Sequence, residues 1–178
     1  AIQGSVRPDV GRRAIVLAAA DHGVVAEGVS AYPQDVTWQM VANFSAGGAA
    51  INQLAAAAGA DLVLVDVGVA HDITALDDVR HAKIAHGTGN MTVEPAMTRE
   101  EAAQAVMLGI ELAEKSAGQG VRLLGTGEMG IGNTTAAAAL ACALAGADPH
   151  TAVGRGTGVD DAGLARKLDA VERALALH

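Results

Sequence analysis

The 178-residue sequence predicts an α/β fold in three layers, a parallel sheet with helices on both faces. Short apolar runs at residues 14–20, 61–67 and 121–124 alternate with longer stretches of helical pattern, as expected of parallel strands joined by helical crossovers. The runs are continuously apolar rather than alternating, which is how strands covered on both faces read. Each opens into a loop rich in glycine and polar residues.

Residues 14–20 (AIVLAAA) stop at Asp21-His22-Gly23, a buried strand ending in a polar loop. Between residues 33 and 58 the Gly47-Gly48 pair divides two helical stretches, and Gly59 stands where a helix C-terminus needs a cap. Residues 61–67 (DLVLVDV) are β-branched and bounded by Gly59 and Gly68, a second strand. Residues 79–85 form a weaker strand candidate, followed by a polar loop at 87–90. Thr98 with Glu101 three residues later is a capping box opening a helix to about Ser116. After the third strong strand, 121–124, comes a glycine-rich loop over 125–135, then an alanine-rich helix to Ala145. A last helix starts near Asp160-Asp161 and places Leu164, Leu168, Val171 and Leu175 on one face. Repeats and linkers are absent, so residues 1–178 read as a single α/β domain.

Composition narrows the function. Hydrophobic residues make up 51% and charged ones 18%, which excludes a disordered chain. A net charge of −8 with 2% aromatics argues against a nucleic-acid surface built from cations and stacking rings. No uninterrupted apolar span and no signal-peptide core is present, so no membrane association and a cytoplasmic location are expected. The lone Cys142 sits in an alanine-rich helix and reads as a buried thiol. The six histidines show no HxxxH or HxH spacing, so no metal site is expected.

In open α/β sheets ligands bind beyond the carboxyl ends of the strands. The loop at 125–130, GTGEMG, has the form GxGxxG with Asp148 some twenty residues on, which admits an NAD-dependent dehydrogenase reading. Against it, Asp148 precedes Pro149 in a turn, and Glu128 would set a negative charge beside a pyrophosphate. A single phosphate fits better: Gly130, Gly132, Asn133, Thr134 and Thr135 lead into a helix, and a second glycine loop at 154–158 is followed by Lys167, with Arg155 within it. Asn133-Thr134 could instead merely cap that helix. His22 could serve as an acid or base or simply bond backbone. Tyr32, Trp38 and Phe44, with Ser30, Gln34 and Gln39, either pack the helices or line a slot for a flat heterocycle.

DHGVVAEGVSAYPQDVTWQMVANFSAGGAAINQLA at 21–55, VDVGV at 65–69, GTGNMTVEPAMT at 87–98, GTGEMGIGNTTAAAAL at 125–140 and VGRGTGVDDAGLARK at 153–167 together resemble the nicotinate-nucleotide–dimethylbenzimidazole phosphoribosyltransferases of cobalamin lower-ligand assembly. The resemblance implies a Rossmann-like sheet and transfer of ribose phosphate from nicotinate mononucleotide to 5,6-dimethylbenzimidazole, giving α-ribazole 5′-phosphate and nicotinate with inversion at C1′. It also implies a homodimer and no metal or redox cofactor. By the same resemblance Glu128 matches an active-site glutamate near the benzimidazole. Ser30, Tyr32, Gln34 and Gln39 match the base-binding region. Gly132, Asn133, Gly156, Gly158 and Lys167 match the nucleotide-phosphate region.

Members of this family are roughly twice this length. The sequence is therefore expected to be the central part of the large domain of a longer chain, with the main catalytic glutamate beyond His178. A non-catalytic nucleotide- or azole-binding domain is the alternative from another class.

Overall fold

The structure, a computed structural model, describes residues 3–178. Four parallel strands, β1 (Arg13–Ala20), β2 (Ala60–Gly68), β3 (Val79–His81) and β4 (Leu123–Met129), form one sheet in the order β3-β2-β1-β4. The helices are α1 (Val36–Ser45), α2 (Ala50–Ala57), α3 (Arg99–Gly118), α4 (Asn133–Ala145), the four-residue α5 (Pro149–Ala152) and α6 (Asp161–Leu177). A short 3-10 turn, Gly23–Glu27, follows β1.

Both faces of the sheet are covered, as expected of continuously apolar strands. Leu17, Ala19 and Leu64 pack against Val41, Phe44 and Ala49 from α1 and the start of α2. On the other face Val16 and Val65 meet Leu112 of α3. A third cluster joins the 3-10 turn to α4 and α6 through Val24, Val29, Ala138, Cys142, Ala170 and Val171. Cys142 is accordingly a buried free thiol.

Most local signals act as read. Thr98 accepts from the Glu101 amide while Glu101 accepts from the Thr98 amide, completing the capping box of α3. Asp160 caps α6 by accepting from the Gly163 amide at 2.7 Å, and Asp148 caps α5.

Three expectations need correction. The strand expected at 79–85 is regular only over Val79–His81. Beyond it the backbone still bonds β2 through Ala82 to Asp66 and Ile84 to Val67, but Lys83 turns to cap the carbonyls of Val69 and His71. The strand expected at 121–124 instead runs over Leu123–Met129. Gly125 and Gly127 lie in register with Ile15 and Leu17 of β1 and pack directly against those side chains. GTGEMG is therefore strand rather than a phosphate loop, and the dehydrogenase reading loses its motif. The buried stripe of α6 falls on Gly163, Lys167, Ala170, Val171 and Ala174, with Leu164, Leu168 and Leu175 only partly covered. The leucines flank the stripe, because small residues let α6 approach α4 closely, and a lysine lies within it.

Candidate functional site

The chain passes from β1 to β2 and β3 on one side, then returns to place β4 on the other side of β1. The carboxyl ends of β1 and β4 thus flank the point where strand order reverses, the position at which open α/β sheets bind ligands. The segment after β4, 130–132, enters α4 there. Gly130 is required by close approach: a Cβ would fall 2.3 Å from the Ala20 carbonyl oxygen and about 3.0 Å from His22 Nε2. Gly132 is the α4 N-cap with φ +91°, and no side chain caps the helix. Asn133 and Thr134 therefore do not act as caps, and α4 points its amino end at the cleft.

Ser30, Glu128, Gly132, Asn133, Thr134 and Lys167 line one cleft of about 100 Å³, with Thr157 at its edge. Lys167 comes from α6, is 1% exposed, and donates to Thr134 Oγ1 at 2.8 Å. Burial pushes its ammonium below the usual lysine range. Gly156 lies over it, since a Cβ there would sit 2.9 Å from Lys167 Nζ. Glu128 is accessible to solvent, but the protein around it pushes its carboxyl above the usual range, with the Asn133 amide pulling partly back. A cation, an acid and a helix N-terminus thus converge on a space the size of a phosphate group.

Other expected site residues lie apart from this cleft. Tyr32 is half-exposed, Gln34 half-buried and Gln39 exposed, and none of the three lines it. Gly158, with φ +105°, has open space around it. Arg155 turns to Asp161 and the Val159 carbonyl instead of the cleft. Trp38 stacks on His71 with ring centres 4.5 Å apart, so one of its faces is already covered. His22 is held toward its neutral form by burial; its ring packs behind Gly130. A larger cavity, about 670 Å³, lies between α4, α6 and residues 88–97 and is lined mainly by apolar side chains such as Met91, Met97 and Leu140. It gathers no opposed charges, which is why the smaller cleft is the candidate site.

One contributor, Thr37, and one contact, that of Thr134 with Lys167, were not readable from sequence. Thr37 of α1 is fully buried and accepts from the Ile131 amide at 3.1 Å, fixing the segment that leads into α4. Thr134 supplies the oxygen that holds Lys167. Both contacts join segments far apart in the chain, and no local pattern encodes them. Among the described residues no cluster of His, Cys, Asp and Glu is arranged to hold a metal ion, and no helix is long and apolar enough to cross a membrane.

A family model described as "Phosphoribosyltransferase" matches residues 1–178. The nicotinate-nucleotide–dimethylbenzimidazole phosphoribosyltransferase of Thermus thermophilus is 56% identical over all of this chain and 53% of its own length. That of Geobacter metallireducens is 52% identical over all of this chain and 50% of its own. The crystal structure of CobT from Thermus thermophilus superposes with a TM-score of 0.94 at 55% identity, covering 99% of this chain and 53% of that one. The chain spans about half the length of the curated relatives it matches. With the family model matched from end to end and relatives this similar, the chain belongs to the nicotinate-nucleotide–dimethylbenzimidazole phosphoribosyltransferase family.

Proposed function

We propose that these 178 residues form the central part of the large domain of an enzyme that transfers the ribose phosphate of nicotinate mononucleotide to 5,6-dimethylbenzimidazole. The observation that carries the reading is the buried Lys167 ammonium at the amino end of α4, facing Glu128 across a phosphate-sized cleft. The identity of the relatives supplies the substrates.

In this reading Lys167 and the free amides at the start of α4 hold the 5′-phosphate, with Gly132, Asn133 and Gly156 shaping its cradle and Gly158 following in the same loop. A fixed phosphate places C1′ of the ribose at the cleft mouth, a contribution of orientation. A ring nitrogen of the benzimidazole attacks C1′ as the bond from C1′ to the nicotinate nitrogen breaks. The pyridinium nitrogen becomes neutral as nicotinate leaves, and the proton on the other azole nitrogen passes to a carboxylate. Glu128 lies on the azole side and contributes there, while the main base belongs to a segment beyond His178. Ser30, Tyr32, Gln34 and Gln39 form the azole end.

The protein works as a homodimer in the cytoplasm and uses neither metal nor redox cofactor. The test is nicotinate release from nicotinate mononucleotide by the intact protein, with and without 5,6-dimethylbenzimidazole. Release that requires the azole and matches α-ribazole 5′-phosphate one for one is expected. Binding of both ligands without release would favour a non-catalytic domain.

A further inference from the structure

The segment that carries Ser30 to the cleft is held from outside the cleft, by α6. Glu27 ends the 3-10 turn three residues before Ser30. Its Oε1 accepts from Asn90 Nδ2 at 2.7 Å and from Thr92 Oγ1 at 3.1 Å. Its Oε2 accepts from Arg173 Nη2, and Arg173 Nε is anchored in turn on Asp169 at 2.8 Å. One residue further on, the Gly28 carbonyl accepts from Arg166 Nε at 2.9 Å. Val29 then inserts into the core beside Ala170 and Val171, and Ser30 emerges in the cleft.

Arg166 and Arg173 stand seven residues apart, two turns along one side of α6. Lys167, next to Arg166, points into the cleft. One helix thus presents the cation of the site and grips the opposite wall at two points, the Gly28 carbonyl and the Glu27 carboxylate. Both oxygens of Glu27 are occupied, so the carboxylate joins three segments: the 3-10 turn, the turn at 90–92 and α6.

We propose that Glu27 is a positioning residue, its carboxylate clamping the 27–30 segment to α6 and so setting Ser30 opposite Lys167 at the distance the azole needs. The proposal rests on the functional reading above, in which Ser30 belongs to the azole end and Lys167 to the phosphate end. Glu27 touches no substrate. Its loss lets Ser30 drift while Lys167, Thr134 and the start of α4 stay in place, so the two substrates respond differently.

The experiment compares Glu27→Ala and Glu27→Gln with wild type in the intact protein, measuring KM for each substrate, kcat, Tm and backbone amide hydrogen exchange. Glu27→Ala should raise KM for 5,6-dimethylbenzimidazole by about tenfold or more and KM for nicotinate mononucleotide by less than about threefold. Exchange should quicken at 28–32 and stay unchanged in β1 and β4. Glu27→Gln keeps an acceptor for Asn90 and Thr92 but turns its amide NH2 toward the Arg173 guanidinium, so it should recover the azole KM only in part. A KM change shared by both substrates, no change in either, or faster exchange throughout β1 and β4 would each overturn the proposal. If wild type transfers no phosphoribosyl group, the functional reading falls, and exchange alone then judges the clamp: loosening confined to 28–32 upholds it, and unaltered protection there overturns it.

Discussion

Lys167 Nζ donates to Thr134 Oγ1 at 2.8 Å, which ties the buried face of α6 to the first turn of α4. Among the described residues this ammonium makes no ion pair, and burial pushes it toward its neutral form. A buried cation without a counter-ion is unfavourable for stability. Its position at a helix N-terminus makes it suited to an anionic ligand.

Replacing Lys167 with Met should therefore separate function from stability. Losing a charge-assisted contact to phosphate should raise KM for nicotinate mononucleotide roughly ten- to a hundredfold, about 1.5–3 kcal/mol, with the azole constant little changed. Tm should hold or rise, since Thr134 is exposed and keeps water as a partner when the lysine is gone. Steady-state kinetics alongside thermal melts check both halves.

The same lysine gives a pH dependence with a defined sign. Its folded-state pKa lies below the unfolded value, so the unfolded chain binds more protons in the interval between them. Stability should rise with pH through that interval. Affinity for the phosphate should fall over the same range as the ammonium is lost. Melts and titrations from neutral to alkaline pH should show the two trends opposed in wild type and absent in Lys167→Met.

Glu128 should act in its ionised form. Its carboxyl sits above the usual range because the cleft desolvates it, so its contribution to rate should fade on acidification sooner than that of an ordinary glutamate. Glu128→Gln should remove that acid limb and lower kcat/KM by up to about a hundredfold, the low end for loss of an assisting proton acceptor. A pH–rate profile of the variant is the check. Unchanged rate and profile would remove Glu128 from the chemistry.

Thr37 tests how the site is built. Thr37→Val keeps the volume but leaves the buried Ile131 amide without its acceptor, a cost of about 1–3 kcal/mol. The damage should appear in the site as well, because 130–132 leads directly into α4. Thr37→Ser should restore both stability and nucleotide binding. Urea denaturation of the three proteins measures the first, and calorimetric titration the second.

The parts legible in the sequence are those encoded locally. The capping box at Thr98 and Glu101, the acidic cap at Asp160 and the first two strands all depend on residues adjacent in the chain. The Leu123–Met129 strand is hard to read at its carboxyl end because its glycines look like a loop, and only the pairing with Ile15 and Leu17 of β1 identifies it as strand. Of the site, the convergence of Lys167, Glu128 and the start of α4 followed the long sequence blocks. The Thr37–Ile131 and Glu27–Arg173 contacts span much of the chain and leave no local trace. Arg155 looks like a phosphate ligand for its glycine neighbours, but Asp161 holds it elsewhere.

If Lys167 and the start of α4 hold the phosphate end of a nucleotide at the carboxyl ends of β1 and β4, removing either the phosphate or the lysine should abolish the same preference. Titration calorimetry at neutral pH measures it, with nicotinate mononucleotide and nicotinate riboside, which lacks the phosphate, each titrated into the intact wild-type and Lys167→Met proteins. Wild type should prefer the mononucleotide to the riboside by about tenfold or more, about 1.4 kcal/mol, and the preference should disappear in the variant. Equal affinities in wild type, or a preference that survives loss of Lys167, would contradict that placement of the phosphate.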